Sequence, residues 1–188
     1  MNDTYHHGNL KNELIENAIR IISEKGFDGL SLRRISAQCG VSHNAVYRHF
    51  ESKERLIECC REHVTETLTE NLKRSIEGLD NTDPETVNKL GYAYIQFYRE
   101  HPTYFSFLYR NTSVKINFTM EYTKGNYPPF EVFRSVCRAI TERRKMTYKE
   151  GLRRLVRYWS LMHGAISLMI SPNVALDGEW DEILKDIF

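Results

Sequence analysis

Between Ser31 and Lys53 the chain concentrates side chains that make hydrogen bonds at a surface: Ser31, Arg33, Arg34, Ser42, His43, Asn44, Tyr47, Arg48, His49 and Lys53. Their chemistry is non-covalent recognition of an anion-rich polymer. Guanidinium and ammonium groups neutralise phosphate, and hydroxyl, phenol and imidazole groups donate to phosphate oxygens. Asn fits two edge atoms of adenine, and Arg fits two of guanine. The stretch holds four cations (Arg33, Arg34, Arg48, Lys53) against Glu51, a local charge of +3. Residues 1–60 as a whole are neutral, with eight Lys and Arg against eight Asp and Glu, and the full chain carries only +1. Positive charge is therefore placed, not abundant, and implies moderate salt dependence of any nucleic-acid contact. For Arg20 and Arg34, plain solvated surface charge is as good a reading.

Two other concentrations invite chemistry. Cys59 and His63 stand at i, i+4 with Cys60 beside them, a spacing that permits a metal site and hence a metal-responsive sensor as the alternative reading. Helical cysteine more commonly packs as a small hydrophobe, so no metal is assigned. Between residues 92 and 133 lie thirteen aromatics, among them Tyr94, Phe97, Tyr98, Phe105, Tyr109 and Phe133. Any single ring reads best as core. So many tyrosines in one region exceed what a dry core needs, because each buried hydroxyl requires a partner. With Trp159 and His163 they form the candidate pocket for a small, largely apolar or aromatic effector. No GxSxG, HExxH, GxGxxG or Walker pattern occurs, so neither an enzyme nor a cofactor is expected.

The elements that position these residues read as helical throughout, and the fold class is all-α. Leu14, Ile15, Ala18, Ile21 and Ile22 form one stripe of a helix over 9–25, closed by Gly26. Ser31 caps a short helix from Leu32 to Cys39, Gly40 ends it, and Ser42 caps a third helix running to about Phe50. Val46 and Phe50 face inward at i, i+4, which leaves His43, Asn44, Tyr47 and Arg48 outward. Ser52 caps a long fourth helix, Lys53 to Ile76. Residues 78–85 form a turn, and Pro84 opens a fifth helix that ends near His101-Pro102. A short helix follows over 103–110, then a long loop over 111–128 that is open to movement. Helices resume over 129–145, 148–170 and 178–188, about nine in all.

Two short capped helices joined by the tight Gly40-Val41-Ser42 turn resemble the helix-turn-helix of the TetR family of transcriptional regulators. Ala18, Gly26-Phe27, Ile35, Gly40-Val41-Ser42, Tyr47, His49-Phe50, Ser52-Lys53-Glu54 and Leu56 fall in register with that family from residue 9 to about 57. Asn44-Ala45 stands where the family often has Gly-Thr. The resemblance implies phosphate contacts at Tyr47, His49 and Lys53, and base contacts at Arg33, His43, Asn44 and Arg48. Trp159…His163-Gly164, with the opening Tyr5-His6-His7-Gly8-Asn9-Leu10, is similar to one subset of that family.

The implied organisation is a DNA-binding domain over 1–52 and an effector-binding and dimerisation domain over 53–188. The expected partners are double-stranded operator DNA, a small-molecule effector of unknown identity, and a second copy. The helices over 148–170 and 178–188 are the expected homodimer face, with Leu155, Trp159, Met162 and Ile166 on one and Trp180, Ile183, Leu184 and Ile187 on the other. The apolar run Leu161–Ile170 is too short to cross a bilayer and the opening residues lack a signal-peptide core, so a cytoplasmic location is expected, with no membrane partner. A DNA-binding protein without an effector is the remaining alternative.

Overall fold

The computed structural model describes residues 4–110 and 114–187, with side chains over 10–109 and 114–184. The side chains of Tyr5 to Asn9 and of Ile187, residues 111–113 of the expected loop, and Phe188 lie outside the described residues.

Helices account for all regular structure among the described residues, as expected: α1 (Thr4–Lys25), α2 (Leu32–Gln38), α3 (His43–Tyr47), α4 (Lys53–Ser75), α5 (Pro84–Glu100), α6 (Pro102–Phe105), α7 (Pro128–Arg143), α8 (Tyr148–Met169) and α9 (Trp180–Ile187). A single 3-10 turn spans Phe27–Gly29 and one π-helical turn spans Ser106–Arg110. The first helix starts five residues earlier than its apolar stripe suggests, because Gly8 within it costs only about 1 kcal/mol of helix propensity. The third stops at Tyr47, although the amides of Arg48 and Phe50 still bond the carbonyls of Asn44 and Val46.

The chain forms two compact units, residues 1–65 with 103–114, and residues 66–102 with 115–188. Helix α4 contributes to both. In the first unit α1 packs against α2, and the π-turn over 106–110 packs against α1. Leu14, Ala18, Ile19, Ile22, Ile35, Val46, Phe50, Leu56, Cys60, Val64 and Phe107 are fully buried in it. Tyr104 binds this segment down: its hydroxyl donates to the Glu16 carboxylate, which also lies 2.9 Å from His63 Nε2.

In the second unit α5, α7 and α8 pack pairwise. The loop over 114–127 is held rather than loose, because Asn126 binds both Asn117 backbone atoms while its amide donates to Glu131 at 2.8 Å. Arg134, 6% exposed, donates to Glu131 at 2.7 Å and to the Met120 carbonyl at 3.1 Å. A buried guanidinium is tolerable only with its charge and donors matched in this way. Helix α8 opens on a reciprocal cap: Thr147 Oγ1 accepts from the Glu150 amide, and Glu150 accepts from the Thr147 amide. Those bonds to Thr147 hold the Glu150 carboxyl below its ordinary pKa.

The face of α8 assigned above to a dimer is instead interior to the protomer. Leu155, Met162 and Ile166 are fully buried and Trp159 is 4% exposed, beneath α5 and α7. On α9, Leu184 points inward and Ile183 outward. The exposed residues of α8 include Arg153, Val156, Arg157, Ser160, Gly164, Ser167 and Leu168, with Leu161 half-buried among them.

Candidate nucleic-acid interface

Each helix of the turn is fixed by one serine. Ser31 Oγ accepts the Arg34 amide at 3.2 Å, and Ser42 Oγ accepts the Ala45 amide at 3.2 Å, so the two hydroxyls satisfy donors that a helix start leaves unpaired. Between them Gly40 adopts φ +64, in the left-handed region, and the Val41 amide reaches back to the Ser36 carbonyl at 3.0 Å. That pattern of closure needs a residue without a Cβ penalty. Val41 itself is half-buried between the helices.

The inner side of α3 is closed: Val46 and Phe50 are 0% exposed, and Ile35 of α2 is likewise 0%. The outer side presents His43, Asn44, Tyr47 and Arg48 to solvent, with Ser31, Arg33, Arg34 and Ser42 exposed nearby and His49 and Lys53 half-buried. Tyr47 is 48% exposed, and the His43 ring meets it edge-on at 4.8 Å. This stacking restrains both rings without burying either polar tip.

Among the described residues, no carboxylate forms an ion pair with Arg33, Arg34, Arg48 or Lys53. Two of the cations are nonetheless oriented. Lys53 Nζ donates to the Phe27 carbonyl at 2.7 Å, and Arg34 donates to the Gly29 carbonyl at 2.5 Å. Both link the Gly26–Leu30 turn to the recognition unit. The sequence reading missed these bonds, since the Lys53 partner lies 26 residues upstream and a carbonyl carries no side-chain signal. An ammonium has three protons, so Lys53 keeps donors for an outside acceptor.

The aromatic candidates divide between the units. Phe105 and Tyr109 stack on one another at 4.8 Å in the first unit. Tyr94, Phe97, Tyr98, Phe133, Trp159 and His163 gather in the second. Tyr94 lies 5.0 Å from Tyr98, 6.0 Å from Phe133 and 5.5 Å from Trp159, ring centre to ring centre. These rings fill the space between them. A groove of about 510 Å³ elsewhere on this unit is lined by other residues, including Lys73, Tyr122, Asn126 and Arg134.

His163 supplies the polar handle in the aromatic block. Its Nδ1 lies 3.2 Å from the Trp159 carbonyl, which can only accept, so Nδ1 carries the proton. The other nitrogen then accepts from the Tyr94 hydroxyl at 3.2 Å. Burial pushes the His163 pKa down to about 4, only partly offset by the Trp159 bond. The imidazole is therefore neutral at physiological pH.

The cysteine and histidine cluster does not assemble as a ligand set. Cys60 is fully buried with Sγ 3.6 Å from the Ile15 carbonyl, its thiol pushed up by burial, while His63 faces Glu16 and Tyr104. Among the described residues no group of three or more His, Cys, Asp or Glu is placed to hold a metal ion. Nor is any described helix long and apolar enough to cross a membrane.

A serine-capped helix-turn-helix on a helical body is the architecture of a one-component DNA-binding regulator, and comparison with known proteins narrows the class. Residues 14–60 match the bacterial regulatory proteins of the tetR family, and residues 87–187 match the tetracyclin repressor-like C-terminal domain. The chain belongs to the tetR family, whose members are transcriptional regulators and not enzymes. Over 169 residues it is 25% identical to the HTH-type transcriptional regulator YerO of Bacillus subtilis, covering 85% of this chain and 56% of that protein. Over 75 residues it is 32% identical to IcaR of Staphylococcus aureus, the HTH-type negative transcriptional regulator of the biofilm operon icaADBC, covering 38% of this chain and 40% of that one. The chain thus spans about half the length of the curated relatives it matches. In fold it is similar to the fatty acid degradation regulator FadR from Bacillus halodurans, with a TM-score of 0.64 at 12% identity over 94% of this chain and 91% of that one.

Proposed function

We propose that this chain is a ligand-responsive transcriptional repressor that acts in the cytoplasm and binds a palindromic operator as a homodimer. The observation that carries the reading is the two-faced α3: Val46 and Phe50 are sealed inside while His43, Asn44, Tyr47 and Arg48 are displayed. A five-residue helix has no stability of its own to justify such a face. It fits the major groove, with His43, Asn44 and Arg48 reaching base edges, and Arg33 of α2 reaching them from the side. Ser31, Ser42, Tyr47, His49 and Lys53 hold the flanking phosphates. The negative sign of the response follows that of IcaR, a negative transcriptional regulator.

Residues 1–52 are the reading domain, and 53–188 hold the effector site and, through 148–170 and 178–188, the dimer contact. The effector is a small apolar or aromatic molecule, for which Tyr94, Phe97, Tyr98, Phe105, Tyr109, Phe133, Trp159 and His163 are the candidate contacts. What supports this is the Tyr94–His163 hydrogen bond, a polar handle enclosed by rings. The Trp159…His163-Gly164 pattern supports grouping the chain with the family subset that it resembles. Because α4 runs through both units, a shift of its body half moves the end that bears Lys53.

Selection of random duplexes on the purified chain tests the reading. An inverted repeat should be enriched, and an Asn44→Ala/Arg48→Ala variant with an unchanged melting temperature should fail to retain it. Absence of any enriched repeat, or equal retention by the variant, overturns the proposal. Titrating an effector library against the bound repeat tests the second half.

A further inference from the structure

The groove of about 510 Å³ between the end of α4 and the start of α7 has a chemistry that the functions above do not use. Thr69, Lys73 and Ile76 line one side, spaced i, i+4 and i+7 so that they share a helix face. Val132 of α7 and Tyr122 of the preceding loop belong to the other side. All of these residues belong to the second unit. The loop wall is set before any ligand arrives: Asn126 ties it to Asn117 and Glu131, and the Thr123 carbonyl accepts the Asn126 amide at 3.1 Å. A wall already in place need not be ordered when the groove is filled.

Arg134 gives the groove its charge. Only 6% of it is exposed, and two of its three guanidinium nitrogens are engaged, Nε with Glu131 and Nη1 with the Met120 carbonyl. Nη2 bonds no acceptor among the described residues, and Arg134 lines the groove. Glu131 is already engaged, because its Oε1 accepts from Asn126 and its Oε2 from Arg134 Nε. A buried donor left in this state is costly unless a partner from outside completes it. Lys73 is exposed and forms no ion pair among the described residues. Lys73 and Arg134 against Glu131 give the lining a net charge of +1. The Arg134 guanidinium carbon lies 5.8 Å from the centre of the Tyr122 ring, which remains 68% exposed. The cation thus restrains the ring and leaves much of it open to a ligand.

We infer that this groove is a binding site for a small aromatic carboxylate, whose oxygens take the open Arg134 Nη2 and the Lys73 ammonium and whose ring lies on Tyr122. A carboxylate accepts through two oxygens and so can bridge a guanidinium and an ammonium. One negative charge matches the net +1 of the lining, whereas an amine would meet Lys73 as a like charge. Ile76, Val132 and the Tyr122 ring supply the apolar contact that a flat body needs, and the volume suits a small molecule. The site is separate from the aromatic block, since Tyr94, Trp159 and His163 are not in its lining. It stands whether or not the block holds an effector.

Isothermal titration calorimetry on the full chain tests this with naphthoate and its uncharged counterpart, naphthalenemethanol. Naphthoate should bind with a dissociation constant below about 1 mM, and the alcohol at least about tenfold more weakly. Lys73→Glu, at an exposed position, should weaken naphthoate by about tenfold, while Lys73→Arg should stay within about threefold of wild type. Tyr122→Ala, also exposed, should weaken it by about threefold or more. Arg134→Gln should remove binding, with circular dichroism melting as the check on folding; if that variant unfolds, the Lys73 pair decides. His163→Gln lies outside the groove and should leave the naphthoate affinity as it is. Failure of naphthoate to bind, equal binding of the alcohol, or indifference to Lys73→Glu or Tyr122→Ala overturns the inference. Naphthoate binding that is lost in His163→Gln and kept in Lys73→Glu puts the ligand in the aromatic block, which overturns this site and leaves the effector reading standing.

Discussion

Arg48 and His163 show how differently two polar residues of one chain are set by their surroundings. Arg48 is exposed, lacks a carboxylate partner among the described residues, and adds nothing to the buried core. Arg48→Ala should therefore leave the melting temperature within about 2 °C while weakening operator binding by about 1–3 kcal/mol and relaxing preference at one base pair, read by fluorescence anisotropy on matched and mismatched duplexes. His163 behaves in the opposite manner. Its pKa is about 4 in the fold and 6.5 for a free imidazole, so the unfolded chain binds the extra proton between those values. Stability contributed by the neutral imidazole is complete above pH 6.5 and drains away as pH falls toward 4, by at most about 3 kcal/mol. Urea midpoints from pH 7 to pH 4.5 should show this fall, and His163→Gln should flatten the part owed to this site. Which side of α3 is inward was legible because Val46 and Phe50 sit one turn apart with polar residues elsewhere. The depressed pKa of His163 was not, because it comes from burial, against Tyr94 of α5 as well as Trp159 of its own helix.

Helix boundaries followed local chemistry, and so did their legibility. Ser31, Ser42, Gly40 and Pro84 each act within a few residues of themselves, so their positions marked helix ends before any tertiary contact was known. What covers a helix face is a different kind of information. The period of Leu155, Trp159, Met162 and Ile166 says that one side of α8 is buried, and says nothing about whether α5 and α7 or a second copy does the burying. Likewise the polar composition of 114–127 indicated a loop without revealing that Asn126, Glu131 and Arg134 clamp it. Two glycines of α8 expose the distinction experimentally. A Cβ on Gly151 would lie 2.7 Å from Thr141 Oγ1 and 2.8 Å from Thr141 Cγ2, whereas one on Gly164 meets nothing within 4 Å. Gly151→Ala should thus cost about 1–3 kcal/mol despite alanine's better helix propensity, by forcing α7 and α8 apart. Gly164→Ala should raise the stability of the dilute protomer by about 0.5–1 kcal/mol. Chemical denaturation of both variants side by side gives opposite signs if α8 is packed as described.

At the scale of the whole molecule, near-neutrality makes salt a sharp instrument. A highly basic protein binds DNA of any sequence, and its salt response counts general attraction. Here the net charge is +1, so the dependence should report the cations of the reading unit alone. Arg33, Arg34, Arg48 and Lys53 give at most four counterions released per half-site, hence a log–log slope no steeper than about −4 for one head and about −7 for two. Full palindrome and isolated half-site should differ by about a factor of two in slope, because the second head enters only when both half-sites are present. Lys53→Ala should reduce the palindrome slope by about 2 and the half-site slope by about 1, the change expected for one phosphate contact per head. The comparison is made at protein concentrations where the free protein stays dimeric throughout the salt range, so that dissociation of the dimer does not enter the slope. Equal slopes on the two duplexes would mean that one head binds at a time, and that the paired-head geometry demanded by a palindromic operator is wrong even if α3 is the reading helix.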